Sequence, residues 1–294
     1  MLLIPAHAKV NLCLAVRGRR HDGFHDIDSV AVLIDWHDLV GIRLDAAATT
    51  AVRLRVSGGD GSTPRGDDNL MARAARAVAA VAGPLAADLW LEKRVPSEAG
   101  LGGGSADAAG VLRGCAALIG AGALGPGRTG TLDLPALLDL AAALGSDIPM
   151  LVAGGPQRMR ARGEVLTALS APSLHLAVAV VAASSTAATY AAVDGLDFED
   201  ATRIDAVAAA LEAGERPADD HLGSGLEAAA SRANPALGAR LMALRAAAPE
   251  GRWHLTGSGG AAFALTDSAD GAGALTVAAR EAGLPARACR TVGG

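Results

Sequence analysis

Apolar and polar positions alternate along 2–16 and again along 30–44, with β-branched residues among the apolar ones, which is the period of half-buried strands. The alternation resumes over 50–56. Gly, Asp and Pro then crowd 57–68 into a loop, and Asp68-Asn69 can cap an amphipathic helix over 70–82. A strand at 89–95 feeds a glycine cluster, followed by alanine-rich helices at 106–119 and 134–144. Gly154-Gly155-Pro156 breaks the pattern. Beyond it, 174–182 reads as a nearly continuous apolar strand, 204–213 and 235–248 as helices, 253–256 and 261–265 as strands paired about a glycine turn, and 275–283 as a last helix. No internal repeat is evident. The pattern predicts an α+β fold in two halves, 1–155 and 156–294.

Composition narrows the function. A chain of 294 residues is long enough for two domains. A net charge of -5 with 26 Lys+Arg argues against a nucleic-acid binder, which carries a basic face. The mean hydropathy of +0.30 comes from alanine and valine and is no membrane signal. No apolar run reaches the ~20 residues of a spanning helix, and the longest, 174–183, contains His175. The opening Met-Leu-Leu-Ile-Pro lacks the basic start of a secretory signal. Cys13, Cys115 and Cys289, odd in number and widely spaced, read as reduced, buried thiols of a cytoplasmic protein. His21 and His25 flank a turn without a completing Cys, which argues against a transition-metal site.

The chemistry concentrates at Gly100, Gly102, Gly103 and Gly104, four glycines in five positions at a helix start. Without Cβ atoms the backbone N–H groups can approach a ligand closely. The helix start adds unpaired donors and the positive end of its dipole, so the loop suits a phosphate. It is not a Walker P-loop, because no lysine follows the glycines. It is not the dinucleotide fingerprint either: Gly100 and Gly102 are followed by Ser105, and Gly102 and Gly104 by Asp107, where the third Gly belongs.

The stretch from Pro96 through Gly100-Leu101-Gly102-Gly103-Gly104-Ser105 to Ala108-Ala109 instead resembles the phosphate loop of the GHMP small-molecule kinases. The blocks Ala8-Lys9-Val10-Asn11, Asp22-Gly23-Phe24-His25, Leu144-Gly145-Ser146-Asp147 and Thr256-Gly257-Ser258-Gly259 are similar to those of one branch of that family, whose acceptor is a cytidine-diphosphate methylerythritol of the non-mevalonate isoprenoid route. His7 stands where that branch usually has proline, and Phe24 where it mostly has tyrosine. The resemblance implies a two-domain fold, a ribosomal-S5-like N-terminal domain and a ferredoxin-like C-terminal one. It also implies ATP with Mg²⁺ as phosphoryl donor, a small-molecule acceptor, no nucleic-acid or membrane partner, and a monomer or homodimer.

It further implies roles residue by residue. Asp147 would be the catalytic base and Lys9 the catalytic cation, although from the residues alone Asp147 can equally cap a helix turn and Lys9 be a strand-edge charge. Asn11 would orient the acceptor, and Thr186 would contact it. Phe24 and Tyr190 would sandwich the cytosine while His25 reads its edge, where the bland alternative is ordinary packing. Asn69, Lys93 and the loop Gly100, Leu101, Gly102, Gly103, Gly104, Ser105 and Ala106 would take ATP, with the Ser105 hydroxyl available to Mg²⁺. Gly257 and Gly259 would support that loop or simply turn a hairpin. A homoserine- or mevalonate-type kinase would share the glycines but not the Asp-Gly-Phe-His block. A non-catalytic nucleotide-binding module or an oxidoreductase is the reading from another class.

Overall fold

The computed structural model describes residues 1–125, 132–193 and 201–293. In chain order its elements are β1 (Leu2–Arg19), β2 (His25–Ala46), β3 (Ala51–Gly58), α1 (Leu70–Ala82), β4 (Leu85–Lys93), α2 (Gly103–Gly120), α3 (Leu134–Leu144), α4 (Ile148–Ala153), β5 (Gln157–Ala161) and β6 (Val165–Ala168). Then come β7 (His175–Val180), α5 (Thr186–Ala191), α6 (Thr202–Glu212), β8 (Gly223–Ser224), α7 (Glu227–Ala233), α8 (Pro235–Ala247), β9 (His254–Leu255), β10 (Ala261–Thr266), α9 (Ala269–Glu281) and β11 (Ala286–Val292). The mixture is α+β.

Two compact units divide the chain: Met1–Ala8, His37–Ser97 and Gly102–Ala153 make the first, and Lys9–Trp36, Glu98–Leu101 and Gly154–Gly294 the second. The patterning placed one boundary between 155 and 156. The chain changes unit close to that point, after Ala153, and also inside β1, inside β2 and inside the glycine loop.

In the first unit, β4 pairs parallel with β3 and antiparallel with β2. Buried Val40, Ile42, Leu89 and Leu91 give the sheet its core, which α1 supplies with Met71 and Val78. Asn69 caps α1 through its side chain, and Asp133 caps α3. α2 is glycine- and alanine-rich for a packing reason. A Cβ at Gly114 would meet the Cδ1 atoms of Ile42 and Ile4, the latter at 2.6 Å, so a larger residue would turn those side chains aside.

In the second unit, β7 is flanked antiparallel by β10 and β11. α8 and α9 contribute Leu237, Leu241, Leu244 and Leu275 to a core that includes Trp253. The N-terminal part of β2 pairs with β5, and Cys13 and Leu14 of β1 pair with β8. Leu14, Val16 and Ile27 pack with Val193, Leu226 and Ala229. Among the described residues no helix is long and apolar enough to cross a membrane.

Candidate active site

Local sequence sets the glycine loop. Gly102 adopts φ +69° and caps α2 without a side-chain bond, so the first N–H groups of that helix receive no side-chain acceptor from the cap. Ser105 follows, half-buried, in the first turn, and Ala106 is buried. Lys93 and Asn69 precede this helix start in the first unit and are both buried. Their polar groups have protein partners. Asn69 Oδ1 accepts from the Met71 N–H at 2.8 Å, and its Nδ2 donates to the Pro64 carbonyl at 2.7 Å. Lys93 Nζ is held by Asp38 and by Asp107, the latter at 3.0 Å. Burial disfavours that ammonium, but the two carboxylates outweigh it and raise the Lys93 pKa. Burial raises the Asp107 pKa against the pull of Lys93. The ammonium expected to meet a nucleotide is thus enclosed by two carboxylates.

In the second unit the other part of the loop meets the second glycine turn. Gly100 has φ +72°, and a Cβ there would collide with the Gly259 carbonyl oxygen. A Cβ on Gly260 would come within 2.5 Å of the Ala99 carbonyl carbon. Two backbones therefore touch where neither tolerates a side chain. The Glu98 carbonyl accepts from the Ser184 N–H at 3.0 Å, with Glu98 itself in the left-handed region at φ 55°. The turn is held from several sides: Ser184 Oγ and Thr189 Oγ1 donate to the Ser258 carbonyl, and Ser224 Oγ donates to the Gly257 carbonyl at 2.5 Å. Thr186, the first residue of α5, is exposed and pairs its hydroxyl with that of Ser258 at 2.8 Å.

Lys9 and Asn11 lie beside this turn. Strand alternation puts both on one face of β1, and the Lys9 ammonium donates to Asn11 Oδ1 at 2.5 Å, both residues buried. The Lys9 N–H donates to the Leu101 carbonyl at 2.9 Å, which ties the strand to the glycine loop. Asn11 Nδ2 donates to Ser29 Oγ, and the Asn11 backbone N–H to Thr256 Oγ1, both at 2.8 Å. Gly257, at φ +57°, favours glycine, and a Cβ there would lie 2.9 Å from Asn11 Oδ1 and 3.2 Å from Lys9 Nζ and so crowd that pair. Lys9 is therefore a buried, oriented cation rather than a solvated edge charge.

Asp147 belongs to the first unit. It is half-buried between α3 and α4, and its carbonyl accepts from the Leu151 N–H at 3.4 Å. Of the aromatic set, the structure joins His25 and Tyr190, whose rings stack with centroids 5.2 Å apart. Phe24 is 50% exposed in its turn, with the Arg162 guanidinium 4.8 Å from its ring centroid. The sequence reading missed Arg162, Asp38, Ser29 and Ser224. Each acts on a residue far away in the chain, and none carries a local motif.

Known proteins share this framework. The family model for the GHMP kinases N terminal domain matches residues 69–155. The 4-diphosphocytidyl-2-C-methyl-D-erythritol kinase of Rhizorhabdus wittichii is 37% identical over 272 residues, covering 90% of this chain and 85% of its own. The protein of that name from Xanthobacter autotrophicus is 39% identical over 287 residues, covering 90% of this chain and 89% of its own. A crystal structure of a 4-(cytidine 5'-diphospho)-2C-methyl-D-erythritol kinase superposes with a TM-score of 0.80 at 32% identity over 100% of both chains. A homoserine kinase from Cytophaga hutchinsonii, at 16% identity and a TM-score of 0.63, shares the fold alone. The chain belongs to the 4-diphosphocytidyl-2-C-methyl-D-erythritol kinase family and has the GHMP kinase fold.

Proposed function

We infer that the chain transfers the γ-phosphoryl group of ATP to the 2-hydroxyl of 4-diphosphocytidyl-2-C-methyl-D-erythritol, a step toward isoprenoid precursors. The observation that carries this reading is the full-length likeness, at 32% identity, to a solved kinase named for that substrate. Local features of each unit support it, the helix start and Asp147 in the first and the buried Lys9–Asn11 pair in the second. Phosphoryl transfer asks the protein for positioning, for cations near the transferred group, and for a group to take the acceptor proton. Backbone N–H groups at 103–105 take the phosphates, Lys9 supplies a fixed positive charge beside Asn11, and Asp147 takes the proton.

ATP enters as its Mg²⁺ complex. Among the described residues no group of three His, Cys, Asp or Glu could hold a metal alone. A Ser105 hydroxyl and the phosphates suit an ion that keeps several waters and takes few protein oxygens. Phe24, His25, Tyr190 and Thr186 form the acceptor side. Phe24 and Tyr190 stack on the cytosine, while His25, whose ring lies against that of Tyr190, reads its polar edge. A cytoplasmic location belongs to the same reading and is supported by three buried free thiols, whose pKa burial pushes up to about 12. A monomer or a homodimer fits this reading equally.

The test is a coupled ADP-release assay with the cytidylylated acceptor, homoserine and mevalonate in parallel. ADP forms with the first alone, and Asp147→Asn lowers kcat by at least ~100-fold, the scale of general-base loss. Turnover confined to homoserine or mevalonate overturns the assignment, and near-normal turnover in the variant removes Asp147 from the chemistry.

A further inference from the structure

The first unit buries a charged triad, Asp38, Lys93 and Asp107, to which no step of the proposed transfer has been assigned. Lys93 ends β4, Asp38 lies on β2 and Asp107 in the first turns of α2, with side chains 3%, 0% and 3% exposed. Asp38 Oδ2 accepts from Lys93 Nζ. Its Oδ1 accepts from the backbone N–H groups of Arg94 and Val95, at 2.5 and 2.8 Å, as the chain leaves the strand. Lys93 Nζ donates also to Asp107 Oδ2 at 3.0 Å, joining residues fourteen positions apart in the chain. One ammonium thereby ties the strand that enters the glycine loop to the helix that leaves it.

The first glycine of that helix rests on the ammonium. A Cβ at Gly103 would lie 2.9 Å from Lys93 Nζ and 3.2 Å from Val95 Cγ1, so the helix start packs closely on the triad. The arrangement is costly. Asp107 Oδ1 is buried and has no hydrogen-bond partner among the described residues. A buried ion pair is weak evidence for stability, because apolar residues of similar volume often do as well or better. What it supplies is a fixed geometry.

We propose that Asp38, Lys93 and Asp107 are positioning residues for the nucleotide: together they hold the β4 exit and the first turn of α2 so that the N–H groups of 103–105 are aimed at the phosphates. Lys93 acts from behind the loop, through Asp107, rather than on the nucleotide. The inference rests on the reading of this loop as the ATP site.

Asp107→Asn, Asp107→Leu, Lys93→Met and the double variant Lys93→Met/Asp107→Leu test it, with Kd for ATP measured by calorimetry beside KM for each substrate. Asp107→Asn preserves shape and guards against a folding failure of the leucine variant. Each single variant raises the ATP Kd and KM by at least about tenfold, since ~1 Å of misplacement can cost ~10²-fold. The acceptor KM stays within about twofold. The double variant is no weaker for ATP than the weaker single one, because the two residues act as one unit. Unchanged ATP affinity in both Asp107 variants, parallel losses for both substrates, or additive losses in the double variant overturn the triad's role. A wild-type chain that binds no ATP overturns the kinase reading, and this inference with it.

Discussion

At the scale of single residues, legibility followed the range of the interaction. Lys9 and Asn11 are two positions apart, so strand alternation placed them on one face, and the structure joins their side chains. The resemblance gives Lys93 a nucleotide role, and its carboxylate partners are not legible in the sequence because Asp38 is fifty-five positions away. Phe24 was legible for another reason, since a ring within Asp22-Gly23-Phe24-His25 is a poor candidate for a core. The Arg162 guanidinium over it was not foreseeable. That contact sharpens a prediction. One face of Phe24 carries the cation, which leaves the other for the base in the proposed stack, and a base–aromatic stack is worth ~1–3 kcal/mol. Phe24→Ala should weaken the cytidylylated acceptor by roughly 5- to 150-fold, the equivalent of that range, while Phe24→Tyr keeps the stack. Separate titrations with ATP and with the acceptor decide it, because equal losses for both ligands on Phe24→Ala would signal a folding defect instead of a lost stack.

At the scale of elements, strong periodicity was read well and weak periodicity was not. The helices over Leu70–Ala82 and Leu134–Leu144 have clear apolar faces and side-chain caps, and both were placed to the residue. α9 starts at Ala269, six residues before the expected start, because Ser268 caps it while Gly271 and Gly273 weaken the helical pattern. β5 and β11 were missed because Arg158, Arg160, Arg287 and Arg290 interrupt their apolar positions. The short α4, α5 and α7 offered too few turns for any period to show. The glycine turns were recognised as turns, but why each glycine is needed required coordinates. Gly257 and Gly122 both have positive φ, at +57° and +83°, yet a Cβ meets the Lys9–Asn11 pair at the first and nothing within 4 Å at the second. Both Ala substitutions should therefore lose ~1–2 kcal/mol of stability from backbone strain. Gly257→Ala alone should also cut kcat, because the added methyl displaces the ammonium. Thermal melts and turnover measured on both variants separate the effects. Equal kcat in the two would mean that the Lys9–Asn11 geometry does not matter to the reaction.

For the whole molecule, the fold class followed from the order of strands and helices, whereas the two compact units do not follow the linear order of the chain. Periodicity is a local property and suggests consecutive blocks. The two units instead share β1 and β2, each of which changes unit partway along its length. A consequence is measurable on the fragment 1–155, the block that patterning alone would cut out. In the intact chain, Ile27–Ala31 pairs with Gln157–Ala161, Leu33 and Ile34 pair with Val292 and Thr291, and Cys13 and Leu14 pair with β8. Leu14, Val16 and Ile27 are buried against Val193, Leu226 and Ala229. The fragment loses all of these partners together. Exposing one such side chain costs ~1.5–3 kcal/mol, so three approach the ~5–15 kcal/mol that holds a typical domain folded, before the unpaired strand edges are counted. The 1–155 fragment should therefore lack a cooperative thermal transition and should aggregate, whereas co-expression with 156–294 should restore a folded, ATP-binding complex. Circular dichroism and calorimetry on the isolated fragment read this directly. A sharp two-state melt of 1–155 alone would show that its part of β1 and β2 needs nothing from the rest of the chain.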